Sequence, residues 1–184
     1  MLAILLANTP ASAQPPTATQ LNQTACVSCH GENGNSVIAN IPSLAGQPKI
    51  FLETQMVMIR EGLREIPEMN GLLKHVSDKQ IQELSALLSS QALEASNKAT
   101  KDLSKFTRGE DLSKKSLCGT CHMPQYQGQN QVPRLAGQRE EYLLKTMIAM
   151  RDGKAVGRDT MMSGIMVGFS DQQISALAHF FSNR

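Results

Sequence analysis

The residues able to do chemistry come in one repeated arrangement. Cys26-Val27-Ser28-Cys29-His30 and Cys118-Gly119-Thr120-Cys121-His122 each set two thiols three positions apart with an imidazole directly after, and together they use all 4 cysteines of the 184-residue chain. Two thiols at that separation can each add across one vinyl group of a haem. The histidine is then held beneath the porphyrin, where a ring nitrogen can ligate the iron; this is the spacing of c-type haem attachment. A zinc site built from both pairs would have to bridge about 90 residues, far beyond ordinary zinc-ribbon spacing. Disulfides closing such short rings belong to redox motifs more than to structural staples. Neither alternative explains a histidine after both pairs.

What such a chain can do depends on the other face of each iron. A Met thioether raises the potential and closes the coordination shell, whereas an open face admits binding or catalysis. Of the 10 methionines, only two positions recur in both halves: Met56 with Met147, and Met69 with Met162. Met56 and Met147 fall in predicted amphipathic helices, where Met commonly fills the core. Met69 and Met162 stand ahead of Ser77 and Ser170 at the same distance, in segments read as loops. A thioether there can approach the haem face opposite the histidine, so Met69 and Met162 are favoured as the sixth ligands. Met161 and Met166 have no Met counterpart in the first half, and Met123 follows His122 on its own side of the haem. His75, near Met69, is a weaker rival, and His179 reads as a surface or packing residue.

Residues around the ligands repeat as well. A ligating histidine needs a partner to fix its tautomer, commonly a backbone carbonyl, and Pro42 and Pro133 recur at matched positions after the two motifs. Their carbonyls are candidates for that role, the alternative being that each proline only stiffens a turn. Arg60 and Arg151 could pair with haem propionates or end a solvated helix.

These matches belong to a duplication of the whole unit. Ile41-Pro42-Ser43-Leu44-Ala45-Gly46-Gln47 answers Val132-Pro133-Arg134-Leu135-Ala136-Gly137-Gln138. The offset is 92 at the histidines (122 − 30), 91 at the glycines (137 − 46) and 93 at the Ser-Asp pairs (170 − 77). Each half reads as mostly helical. A first helix runs into the haem motif, and Gly31-Glu32-Asn33-Gly34-Asn35 forms a loop. A second helix spans about Pro48 to Arg60 and Arg139 to Arg151. A last helix opens with capping-box signals, Ser77 with Gln80 and Ser170 with Gln173. Ile81, Leu84, Leu87 and Leu88, and Ile174, Leu177, Phe180 and Phe181, mark its core face. The expected division is a signal peptide over 1–13, a first domain over 14–92, a polar, partly helical connector over 93–105 and a second domain over 106–184.

Composition fits this division. Leu2 to Ala7 is a short apolar run and Ala11-Ser12-Ala13 suits secretory cleavage, although no Lys or Arg precedes the run, as in a truncated start. The run is too short to span a bilayer, so an exported, periplasmic protein with no transmembrane segment in the mature chain is expected. Aromatics make up 4% and Trp is absent; such a thin core calls for a cofactor, which a buried haem in each half would supply. Residues 14–100 carry 6 Lys/Arg and 8 Asp/Glu, residues 101–184 carry 12 and 8, giving −2 and +4 and hence a dipole that could orient docking. No patch suits nucleic acid, and a monomer is expected.

The order C-x-x-C-H, Pro-x-Leu-Ala-Gly-Gln, amphipathic helix ending in Arg, Met, and Ser-Asp-x-Gln-Ile resembles class I cytochrome c. Its duplication in one exported chain resembles the periplasmic dihaem cytochromes of the c-four type, across essentially the whole mature sequence. The resemblance implies an all-α fold of two tandem class I cytochrome c domains, each wrapped around one covalently attached haem, related by an approximate two-fold. It implies two c-type haems: one on Cys26 and Cys29 with His30 and Met69 on its iron, the other on Cys118 and Cys121 with His122 and Met162. It further implies an electron carrier, not an enzyme, working between membrane respiratory complexes, from a quinol-oxidising complex towards a terminal oxidase. The alternative is a haem subunit of a periplasmic oxidoreductase with one open iron, peroxidase-like or sulfur-compound oxidising. It is disfavoured by the matched Mets and by the lack of a cysteine outside the haem motifs. A stably bound electron-transfer subunit would look the same in sequence.

Overall fold

The computed structural model describes residues 15–94 and 101–184. The expected leader over 1–13, and residues 95–100 of the expected connector, lie outside the described residues. Among those residues the chain is helical, with one isolated antiparallel bridge between Gln129 and Val132.

In the first lobe α1 (Ala18–Leu21) passes through a π-helical segment (Asn22–Cys26) into α2 (Val27–His30), which carries the first motif. A 3₁₀ turn (Glu32–Gly34) follows, with Asn33 in the left-handed region at φ 55°. Then come α3 (Lys49–Arg60), a 3₁₀ turn over Pro67–Met69, and α4 (Asp78–Ser90). The second lobe has α5 (Leu103–Lys115), α6 (Cys118–His122), α7 (Glu140–Arg151), α8 (Thr160–Met166) and α9 (Asp171–Ser182). The ends expected for the middle helices agree to within one residue, and both capping boxes form: Ser77 and Ser170 accept from the backbone N–H of Gln80 and Gln173, whose side chains reach back.

Two expectations change. The first helix of the second lobe does not run into its haem motif: Leu117 sits at φ 56° and breaks α5 from α6. A non-glycine residue in that region interrupts a right-handed helix. The segment holding Met162 is also not a loop. Asp159 caps it by accepting from the Met162 N–H at 3.0 Å, and α8 forms.

The last helix is the core of each lobe. Ile81, Leu84 and Leu88 of α4 are buried, the first two packing with Ala18, Leu73 and Val76. In α9, Ile174, Leu177, Phe180 and Phe181 are buried against Tyr126, Leu143, Met147 and Met166. Phe106, Tyr126, Phe180 and Phe181 meet edge-on or tilted, with ring centroids 5.0–5.3 Å apart, so most of the chain's few aromatics concentrate in this lobe. Gly109 lets α5 cross α9 closely: a Cβ there would lie 2.1 Å from the Ala176 carbonyl oxygen. His179, expected at the surface or in packing, is an interior strut. Its Nδ1 donates to Glu140 at 2.8 Å and its Nε2 accepts from the Asp102 N–H at 3.2 Å, tying the starts of α5 and α7 to α9.

The lobes are joined through the repeated Leu-Ala-Gly-Gln turns. Gly46 and Gly137, at φ 62° and 70°, turn the chain so that their N–H groups bond the Leu88 and Phe181 carbonyls, at the far ends of α4 and α9. The next residues, Gln47 and Gln138, then point into the other lobe. Gln47 donates Nε2–H to the Arg134 carbonyl and accepts from the Arg134 N–H, both at 3.0 Å. Gln138 does the same with Ser43, both at 2.8 Å. Ser43 and Arg134 are equivalent positions of the repeat, so the two bracket pairs are reciprocal.

Candidate functional site

Each motif is presented on a short helix whose last residue is the histidine. His30 and His122 are buried, 8% and 3% exposed. Their Nδ1 atoms lie 2.9 Å from the Pro42 carbonyl and 2.8 Å from the Pro133 carbonyl. A carbonyl only accepts, so Nδ1 carries the proton and Nε2 presents its lone pair. In His122 that Nε2 is buried without a hydrogen-bond partner in the protein. Burial lowers both imidazole pKa values, and the bond to the proline carbonyl opposes it only partly. Both rings are therefore held neutral, oriented and ready to ligate. Pro42 and Pro133 do more than stiffen turns.

The thiols flank the same helices. Cys26 and Cys118 are partly buried, Cys29 and Cys121 exposed, and none is in a disulfide. Burial pushes the Cys26 and Cys118 thiols up; the neighbouring Cys29 adds to the rise at Cys26, while a bond with Ser113 opposes it at Cys118. No group of three or more His, Cys, Asp or Glu side chains able to hold a metal ion occurs among the described residues. The donors present suit a porphyrin attached through sulfur and ligated through one imidazole.

Met69 closes the 3₁₀ turn and packs half-buried against the first-lobe cluster of Leu73, Val76, Ile81 and Leu84. Met162, in the first turn of α8, packs half-buried against the second-lobe cluster. Among the neighbouring methionines Met161 is 68% exposed while Met166 and Met147 are buried, 3% and 7% exposed. Met56 packs half-buried on the first-lobe core, and His75 is exposed.

Neither Arg60 nor Arg151 ends a helix in free solution. Arg60 Nη1 bonds the Val76 carbonyl at 2.9 Å and Asp78 at 2.7 Å; Arg151 Nη1 bonds the Phe169 carbonyl and Asp171. They clamp the ends of α3 and α7 to the starts of α4 and α9, with their forks already occupied. Cations better suited to propionates stand in the segments that follow α3 and α7. Arg64 is 7% exposed and bonds Gln55 through Nη1. Arg158 reaches the Tyr142 hydroxyl with both terminal nitrogens at 3.3 Å. Gly157 packs on the Leu63–Arg64 backbone, where a Cβ would lie 2.1 Å from the Leu63 carbonyl oxygen. The two guanidiniums thus face each other across the lobe boundary around Tyr142. Burial, then repulsion from Arg158, lowers the Arg64 pKa. Neither has a carboxylate in ion-pair range among the described residues, an arrangement that calls for an anion. Each arginine lies in the loop of its own lobe, but their meeting is visible only with both lobes in place.

Two helical lobes, each delivering a tautomer-fixed histidine from a C-x-x-C-H helix, define a two-domain class I c-type cytochrome. The family model described as cytochrome c matches residues 106–184, and that described as cytochrome c oxidase, cbb3-type, subunit III matches residues 13–88. Cytochrome c4 of Pseudomonas aeruginosa is 31% identical over 171 residues, spanning 89% of this chain and 85% of that protein. The crystal structure of reduced recombinant cytochrome c4 from Pseudomonas stutzeri superposes with a TM-score of 0.81 at 29% identity, covering 92% of this chain and 99% of that one. A thiosulfate dehydrogenase electron acceptor from Thiomonas intermedia is 28% identical over 181 residues, 93% of this chain and 81% of that protein. The chain belongs to the cytochrome c4 family: it is an electron carrier whose cytochrome c domains bind c-type haem.

Proposed function

We propose that this protein carries two covalently bound haems, one per lobe, and shuttles single electrons in the periplasm between respiratory partners, from a quinol-oxidising complex towards a terminal oxidase. Cys26 and Cys29 attach the first haem, with His30 and Met69 on its iron; Cys118 and Cys121 attach the second, with His122 and Met162. The observation that carries this reading is the duplicated His–Pro pair, which fixes each imidazole with Nε2 free to ligate. When bound, each haem supplies a one-electron couple. The chain holds the imidazole proton at Nδ1, offers a thioether from Met69 and Met162, balances charge through Arg64 and Arg158, and keeps water from the buried ring. No helix among the described residues is long and apolar enough to cross a membrane, which suits a carrier that meets its partners transiently, as a monomer, through small interfaces.

The test is a visible spectrum of the dithionite-reduced exported protein, with and without carbon monoxide. A low-spin c-type spectrum that ignores the gas is expected. A response from about half the haem would overturn the closed ligand set and favour an oxidoreductase subunit with one open iron. A second reading of the donor is favoured by the relative from Thiomonas, whose name makes it the acceptor of a thiosulfate-oxidising dehydrogenase. On that reading the same two-haem chain takes electrons from a thiosulfate dehydrogenase; rapid reduction by such an enzyme with thiosulfate would support it, and no reduction would return the donor to the quinol side.

A further inference from the structure

We infer that each haem's potential is set partly by a glutamine of the opposite lobe, through a hydrogen-bonded chain that passes across a single peptide unit. The inference rests on the proposal that His30 and His122 ligate iron. The Pro42 carbonyl, which accepts from His30 Nδ1 at 2.9 Å, and the Ser43 N–H, which donates to Gln138 Oε1 at 2.8 Å, are the two ends of one planar amide. The mirror chain runs from His122 Nδ1 to the Pro133 carbonyl at 2.8 Å, and from the Arg134 N–H of that same amide to Gln47 Oε1 at 3.0 Å. His30, Ser43, Gln47, His122 and Gln138 are buried, all no more than 8% exposed, while Pro42, Pro133 and Arg134 are half-buried.

The physical consequence has a definite sign. An amide whose N–H donates becomes more polarised, and its oxygen accepts more strongly. A stronger acceptor draws the Nδ1 proton outward and makes the imidazole a better electron donor at Nε2. That favours the more positively charged ferric iron, so an intact chain lowers the potential. Burial strengthens the effect, most at the Gln138 link, because solvent competes less for these bonds than it would at the surface. The control is crossed: Gln138 in the second lobe acts on the haem of the first, and Gln47 in the first acts on the haem of the second.

Two reciprocal pairs of variants test this, with the holoprotein titrated electrochemically while haem-methyl NMR signals assigned to each lobe are followed. Gln138→Leu is expected to raise the midpoint of the haem on Cys26 and Cys29 and to shift the His30 ring N–H resonance, with the other haem unmoved. Gln47→Leu should do the converse. Gln138→Glu and Gln47→Glu keep an acceptor for the amide N–H and should bring the same midpoints back to the parent value or below it, which general loosening of the interface would not do. Movement of the haem in the variant's own lobe, equal movement of both, no movement, or a rise in the Glu variants would overturn the inference. If the parent protein lacks a low-spin c-type spectrum, the ligand proposal beneath it fails first, and separately.

Discussion

Arg60 lies 2.7 Å from Asp78, bridging the last residue of α3 to the first of α4 across the segment that carries Met69. The arginine also holds the Val76 carbonyl, and its bonds to Asp78 and Glu61 raise its pKa, so it is charged at every accessible pH. Arg60→Met is expected to lower the thermal unfolding midpoint of the holoprotein and leave both haem potentials in place. A large potential shift in this variant would return Arg60 to the propionates.

Arg64 should behave in the opposite way. It is buried, faces Arg158 and has no carboxylate of its own among the described residues. A nearby positive charge disfavours the ferric state. Arg64→Met should therefore lower the midpoint of at least one haem, and Arg158→Met should do likewise, both read by spectroelectrochemistry. Unchanged midpoints in both variants would remove this pair from the electrostatics of the site.

Met69→Ala and Met162→Ala separate the two irons. Each variant should let carbon monoxide bind about half of the reduced haem, and the double variant all of it. A single variant that stays closed would transfer the ligand role to another methionine, with Met56 the candidate in the first lobe and Met166 in the second.

Two glycines on helices make opposite predictions. At Gly109 a Cβ would lie 2.1 Å from a backbone oxygen of α9 and 2.6 Å from Phe180 Cβ. Gly109→Val should cost at least the ~1–3 kcal/mol of an overpacked core and reach the second lobe first. Gly164, within α8, has nothing within 4 Å and carries no positive φ. Gly164→Ala should stabilise by ~0.4–1 kcal/mol through helix propensity and a less free unfolded chain. Thermal melts monitored at the haem bands would report both.

Much of this was legible because each local signal agreed with its copy. Pro42 and Pro133 recur near the motifs, and a proximal histidine needs an acceptor; both carbonyls are where that need predicts. Ser77 with Gln80 and Ser170 with Gln173 mark their helix starts to the residue. Reading by copies has a cost, however. Arg64, Tyr142 and Arg158 sit where the lobes meet, and a single lobe does not show what they face. Arg60 and Arg151 recur, and their spacing suits either propionates or a solvated helix end; each instead clamps α4 or α9 within its own lobe. The helix at Thr160–Met166 has its own start signal in Asp159, three residues before Met162, whereas the matching stretch of the first lobe folds as a short 3₁₀ turn. Gln47 and Gln138 were visible as a repeat, but which residues they bond depends on the fold of both lobes at once.

That bracket has a bearing on the chain's ancestry and on its dissection. A first lobe standing alone would keep a glutamine at 47 and a free amide at 43, the two halves of a self-complementary joint. Two copies could clasp each other as this chain's lobes do, by the isologous logic of a symmetric dimer. Gene duplication would then have fused an association that already existed, and severing the lobes should restore it.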